Sequence, residues 1–532
     1  MDPMETEEES SAAVEAKADG SDTTTEDVPE EAAEDSWQSV PEDVRAAADA
    51  LKDQGNEALK GNHLTDAVRL YSEAIAMAPA PAYYSNRAMV YIKREEYGLA
   101  IVDAESALRL DRGYLKAYYR RGSANFALGH YKEAKRDVQY VCKRRPKDKD
   151  AMRKLKACQQ AIKEAAFAAA IEAEQTIPLS ERIKCDSIAV LDSYDGPRLS
   201  DEQICDEGVD PKDYEVTEAF VMQLIEHFRN QKLLHKRYLV ALLLKAKAVI
   251  STLPNVMRIG LPAEGPSPEV EPRITVCGDT HGQYYDVLHI FDLNGMPSPS
   301  NPYLFNGDFV DRGSFSVEVI VTFLAFKCMA PDSIFLTRGN HESKRLNVAY
   351  GFDGEAKAKY DGQIMDLFTE VFNTFPLAAV IQDSVFVVHG GMASERGVKL
   401  ADIDALDRFR EIPEGGLMSD LLWSDPQPLP GYAASKRGVG KSFGPDVTAS
   451  FLEDNGLSLL VRSHEVKDEG YLVEQNGKCV TVFSAPNYCD QMGNKGAFIT
   501  FTADMVPRYT QFEHVPHPPV KAMAYAPNAF GL

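Results

Sequence analysis

Five short apolar runs in the second half of the chain each end on a residue that can hold a metal ion. Residues 273–277 lead to Asp279 and His281 in the string GDTHG, and residues 303–305 lead to Asp308, with Asp311 and Arg312 close behind in GDFVDRG. Residues 334–337 lead to Asn340, His341 and Glu342 in RGNHE, residues 385–388 to His389 in HGG, and residues 459–463 to His464. The donor set is two carboxylates (Asp279, Asp308), three imidazoles (His281, His389, His464) and one amide (Asn340). With no thiolate it suits hard or borderline divalent ions such as manganese, iron or zinc. An aspartate between two ions would bridge them at roughly 3.5–4 Å, and a water shared by both would ionise near neutral pH and attack phosphorus in line. One Asp-x-His alone would be an ordinary turn; five such sites in order make a convergent centre.

The elements that must carry these residues are strands. Runs of three to five mostly apolar residues with little alternation are buried on both faces, and ligands gather where such strands end. The glycines beside the ligands permit tight turns and close backbone approach. The spacing therefore predicts five strands delivering their polar residues to one sheet edge.

The 532 residues leave room for two or three domains. The net charge of −24 is uneven: residues 1–40 hold fourteen Asp or Glu against Lys17 alone. Residues 1–43 are expected to be a disordered acidic tail, because one tryptophan cannot bury enough surface to offset ordering entropy. The acidic balance argues against nucleic acid as the main partner. Eight cysteines without a CxxC pair, and no signal-like N-terminal run, predict reduced thiols in the cytoplasm and nucleus. The most apolar stretch, residues 238–250, carries Lys245 and Lys247, so no stable membrane insertion is expected.

Residues 44–147 repeat. Ala67, Ala100 and Ala134 recur at intervals of 33 and 34, and Gly55 and Gly122 each precede a proline, Pro79 or Pro146, by 24. Small residues let antiparallel helices approach, and the proline closes the second helix of each pair. This pattern resembles three tetratricopeptide repeats, an all-α solenoid with a concave groove. Lys52 and Asn56, Asn86, and Lys116 and Arg120 resemble the set with which some such domains hold the C-terminal carboxylate of heat-shock chaperones, here one of about ninety kilodaltons. The alternative is a solvated basic helix face. Residues 148–212 are expected to be a helical extension and a turn-rich linker, and the Pro- and Glu-rich loop 261–272 to be exposed.

The order GDxHG, GDxxDRG, GNHE, HGG, a late histidine and SAPNY resembles the phosphoprotein phosphatase family over about residues 215–520, and the repeats point to its tetratricopeptide-bearing members. The resemblance implies an α/β metallophosphatase domain, 213–520, built as a sandwich of two mixed sheets flanked by helices, with a tail at 521–532. It implies that Asp279, His281 and Asp308 hold one ion, and that Asp308, Asn340, His389 and His464 hold the other. His341, paired with Asp311, would protonate the leaving seryl or threonyl oxygen; the carboxylate is expected to raise the histidine's pKa. Arg312, Arg437 and Asn340 would grip the phosphoryl group, with Tyr488 lining the site. Glu95 matches the position from which a related phosphatase turns an acidic side chain toward its own active site. Groove ligands or acidic lipids would then relieve the inhibition. An inert scaffold would be expected to lose ligands, and all six positions are intact; a phosphodiesterase would have less need of two arginines.

Overall fold

The computed structural model describes residues 40–174 and 177–526. Most of the acidic tail and the last six residues lie outside them.

Six helices form three antiparallel hairpins: α1 (Glu42–Lys60) with α2 (Leu64–Met77), α3 (Pro81–Lys93) with α4 (Tyr97–Leu110), and α5 (Leu115–Ala127) with α6 (Tyr131–Arg144). The three alanines of the repeat are fully buried where the helices of each pair meet. A Cβ on Gly55 would stand 2.8 Å from the Tyr71 ring, so glycine sets how closely α1 and α2 pack. The second and third repeats share a buried ion pair in the same 34-residue register. Arg87 donates to Asp103 at 2.8 and 2.7 Å, and Arg121 to Asp137 at 2.8 and 2.9 Å. A long helix, α7 (Lys149–Glu174), caps the solenoid. It buries Lys154, which donates to Ser123 on α5 at 2.7 Å and sits over the Tyr119 ring.

The expected linker is not a free tether. Between residues 177 and 216 the chain buries Cys185, Leu199, Ile204, Tyr214 and Val216 against α8 (Glu218–Arg229), α9 (Lys236–Ser251) and the rest of the catalytic core. Its apolar residues occur singly among turn formers, so no period announces them. The 261–272 loop is largely exposed, as expected.

The second half is built on two mixed sheets. One has six strands in the order β1 (Val256–Ile259), β5 (Ala378–Ile381), β6 (Val385–Val388), β10 (Leu459–Arg462), β12 (Cys479–Val482) and β11 (Tyr471–Glu474). The other has five: β14 (Arg508–Phe512), β13 (Gly496–Phe501), β2 (Ile274–Cys277), β3 (Tyr303–Asn306) and β4 (Ile334–Thr337). A small third sheet joins β7 (Asp425–Pro426), β9 (Lys441–Phe443) and β8 (Tyr432–Ala434). Val276, Leu304, Val387, Val461, Val482 and Ile499 fill the space between the two large sheets. Helices including α10 (Tyr284–Asn294) and α11 (Ser316–Met329) cover the five-stranded sheet with aromatic residues. The C-terminal stretch has no helix among its described residues. It crosses the catalytic face, where Met523 donates its N–H to the Arg312 carbonyl at 2.7 Å.

Candidate metal centre and catalytic cleft

All five ligand-bearing strands exist, but they belong to two sheets. The ends of β2, β3 and β4 supply Asp279, Asp308 and Asn340 from one sheet, and β6 and β10 supply His389 and His464 from the other. The site therefore lies where two sheets meet rather than along one edge. A parallel bridge between Asp279 and Phe483 joins them there.

The turns that deliver the ligands are strained. His281, Asp308, Asp311, Arg312 and His464 have φ of 40°, 52°, 71°, 68° and 70°, a region that side chains occupy only when their surroundings hold them. Glu342 supplies much of that hold. Its carboxylate accepts the N–H groups of Asp308, Phe309 and Gly339, each at 2.8 Å. A Cβ on Gly339 would stand 2.2 Å from Asp308 Oδ1, so the backbone must approach bare.

The donor atoms converge in two overlapping groups that share Asp308. Ligand-capable atoms of Asp308, His389 and His464 lie within 4.8 Å of one another, as do those of His281, Asp308 and His341. His281 Nε2 is 3.8 Å from Asp279 and 3.7 Å from Asp308. Backbone carbonyls fix the tautomers: His281 Nδ1 donates to Val310 O at 2.9 Å and His389 Nδ1 to Asn306 O at 2.8 Å. His389 Nε2 is thereby left as a lone pair, facing Asn340 Oδ1 at 2.8 Å, His464 Nδ1 at 3.2 Å and an Asp308 oxygen at 3.2 Å. A divalent ion would satisfy all of these atoms at once, so the set fits a metal. Burial lowers the pKa of His281, His389 and His464, which keeps the imidazoles neutral and able to ligate, and the same burial pushes Asp279 up to about 7, where a bound cation would favour its ionised form.

Around these atoms lie the groups assigned to phosphate and proton transfer. His341 Nδ1 is 2.8 Å from Asp311 Oδ2, and Asn347 donates to that same oxygen at 3.0 Å and to the His341 carbonyl at 2.7 Å. The expected rise in the His341 pKa does not occur. Burial, then the Arg312 charge, pushes it well down, while burial lifts Asp311 to about 7. Arg437 donates through Nε to Asp425 at 2.7 Å and through Nη2 to the His464 carbonyl at 2.7 Å. Asp425 also takes Arg462 at 2.9 Å, and Arg462 pairs with Glu465 at 2.8 Å. Tyr488 is buried with its ring 5.1 Å from that of His281, and burial raises the Cys489 thiol to about 12.

Comparison with known proteins decides what this centre belongs to. A calcineurin-like phosphoesterase family model matches residues 272–468, and the PPP5 TPR repeat region model matches residues 155–258, downstream of the three hairpins. Human serine/threonine-protein phosphatase 5 is 48% identical over 482 residues, covering 90% of this chain and 93% of the relative. The chain belongs to the serine/threonine-protein phosphatase 5 family. It is a protein serine/threonine phosphatase. Serine/threonine-protein phosphatase T of Trypanosoma brucei brucei is 48% identical, covering 91% of this chain and 98% of its own. A solved Saccharomyces cerevisiae phosphatase, described as similar to human PP5, is 40% identical with a TM-score of 0.55, covering 58% of this chain and all of its own.

The phosphatase carries its repeat domain against the mouth of this centre. Glu95, at φ 62°, reaches Arg312 with an ion pair of 2.5 Å. Both line a cleft of about 830 Å³ with Asp279, His281, Asp308, His341, Arg437, His464 and Tyr488. Around the contact, Leu99 donates its N–H to the Lys436 carbonyl at 3.1 Å and the Tyr97 and Tyr350 hydroxyls meet at 2.7 Å. Ala88, Ile92, Ala124 and Leu128 bury themselves with Leu346 and Tyr350.

On the repeat groove, Asn56 Oδ1 accepts from Tyr71 at 2.7 Å and from Asn86 at 3.0 Å. Arg120 Nε is buried without a hydrogen-bond partner, and Lys116 is exposed. Lys52 is paired with Asp49 at 3.0 Å and Asp53 at 3.2 Å. Glu342, Asn347, Asp425, Arg462 and Glu465 were not singled out from the sequence. Glu342 sits inside a motif, but nothing in the string reveals that it serves three backbone donors.

Proposed function

We propose that the chain hydrolyses phosphoserine and phosphothreonine in proteins at a dinuclear centre, and that its repeat domain holds the enzyme closed until a groove ligand binds. The convergence of ligand-capable atoms around His389 Nε2, with Asp308 shared by both groups, carries the first part. Asp279, His281 and Asp308 would hold one ion, and Asp308, Asn340, His389 and His464 the other. Such a pair supplies a water made nucleophilic near neutral pH and an electrophilic clamp on phosphate oxygens.

The chain's own side chains do the rest. Arg312 and Arg437 present guanidinium forks to the phosphoryl oxygens, and the Asp425 brace keeps Arg437 aimed. His341, with Nδ1 held by Asp311, offers its other nitrogen to the leaving oxygen, and the negative charge of a bound phosphate would offset the Arg312 charge that lowers its pKa. Tyr488 closes the wall of the site. Metal analysis of the purified full chain, run beside phosphopeptide turnover, tests this. Activity should track about two bound ions per chain, and undiminished turnover after metal removal would overturn it.

The Glu95–Arg312 pair supports autoinhibition, since a carboxylate there occupies the cation that phosphate needs. Groove ligands and acidic lipids that favour the open arrangement would raise activity. The groove would take the free C-terminus of a heat-shock chaperone of about ninety kilodaltons, with the buried Arg120 Nε seeking an anion. A peptide ending in Met-Glu-Glu-Val-Asp should bind the full chain, and amidating its C-terminus should weaken it; equal binding returns the five groove residues to a solvated face. A cytoplasmic and nuclear location agrees with eight free cysteines.

A further inference from the structure

The last repeat helix and the capping helix carry a surface at odds with the rest of the molecule. On α6, Lys132, Arg136 and Lys143 follow one another at four- and seven-residue spacing and are all exposed. On α7, Lys149, Arg153 and Lys156 do the same at four and three. Those spacings put each set on one helix face. The opposite faces are buried, through Ala134, Val138 and Val141 on α6 and Ala151, Lys154 and Cys158 on α7. The two helices are packed neighbours joined by a short turn, and residues 144, 145 and 147 in and beside that turn add three more exposed cations. Among the described residues, only Arg153 of the six stripe residues has an ion-pair partner, Asp150. The result is a cationic stripe on each of two neighbouring helices, with few ion-pair partners, on a chain whose net charge is −24.

We propose that this face is the docking surface for the chain's own acidic N-terminal segment, residues 1–39. Charge complementarity selects the occupant: that segment holds fourteen carboxylates and one lysine, and the remainder of the chain is itself net acidic and repels it elsewhere. Length permits it. Thirty-nine residues can span up to about 130 Å. Helices packed at about 8–10 Å place α7 within about 60 Å of α1, where the segment joins the fold. Docked there, the segment masks the cations from nucleic acid and other polyanions and leaves the concave groove open. The inference is independent of the groove assignment and of the metal centre.

Zero-length carbodiimide cross-linking of the full chain tests it, because the reagent joins only carboxylates and amines already in contact. Links from residues 1–39 should concentrate on Lys132, Lys143, Lys149 and Lys156. They should vanish in about 1 M salt, where the screening length falls to about 3 Å. The variant Arg136→Glu/Arg145→Glu/Arg153→Glu keeps all four lysines and should lose those links several-fold. Links spread over exposed lysines elsewhere, such as Lys232 and Lys478, in proportion to exposure, or links indifferent to the triple reversal, would overturn the proposal. Links that join isotopically distinct copies in a mixed sample would overturn it too, since they assign the segment to a second chain.

Discussion

Glu342 shows how much of a metal site is built by residues that hold no metal. Its carboxylate accepts three buried N–H groups and so fixes the turn that carries Asp308. Glu342→Ala would strand those donors at about 1–3 kcal/mol each. It should lower both unfolding free energy and metal content, seen by denaturant titration and metal analysis of the same preparation. The ligands stand differently. Asp308→Ala or His389→Ala should abolish phosphopeptide hydrolysis with the fold intact by circular dichroism. His341→Ala should keep its metal and lose about 10²–10⁴ in rate on peptides, with a smaller loss on an aryl phosphate whose leaving group hardly needs a proton. Equal losses on both substrates would remove His341 from proton transfer. The metal-ligand residues were visible in the sequence because each comes soon after a strand and all but His464 sit beside glycines. Asp425 and Arg462, which brace Arg437, stand in no repeated pattern. The His341 pKa depends on burial and on Arg312, neither of which a motif expresses.

At the scale of elements, the repeat hairpins were legible because helix packing imposes a period. The alanine spacing gave three helix pairs, and the structure adds an arginine–aspartate pair in the same register. Breaking one by Asp137→Ala leaves Arg121 half-buried and deprived of its main partner, so a loss of about 3–5 kcal/mol is expected in denaturant unfolding. The cap α7 brings a second consequence. Burial lowers Lys154 to about 7, whereas an unfolded lysine titrates near about 10.4. Between those values the unfolded chain binds the extra proton, so the repeat domain gains stability as pH rises through that window. Lys154→Met should raise Tm near neutrality and flatten its rise toward about pH 10; an unchanged slope would contradict the assignment. The segment between the domains escaped sequence reading for the opposite reason. Cys185, Leu199, Ile204, Tyr214 and Val216 are buried one at a time, and isolated apolar residues carry no period.

At the scale of the whole molecule, the repeat domain lies against the mouth of the catalytic cleft, where Glu95 meets Arg312. Contact between them relies on bare backbone as well as on charge. A Cβ on Gly98 would stand 2.5 Å from the Gly438 nitrogen and 2.8 Å from the Ser435 carbonyl oxygen. Gly98→Ala should therefore wedge the domains apart and raise basal turnover without touching a ligand or Arg312. The most direct measurement is phosphopeptide turnover by full-length Glu95→Ala beside the unaltered chain, at matched metal content and salt. A coupling of about 1–3 kcal/mol, ordinary for linked sites, predicts a rise of about 5–150-fold with the bound metal unchanged. Turnover equal to or below that of the unaltered chain would show that the Glu95–Arg312 pair does not restrain the enzyme.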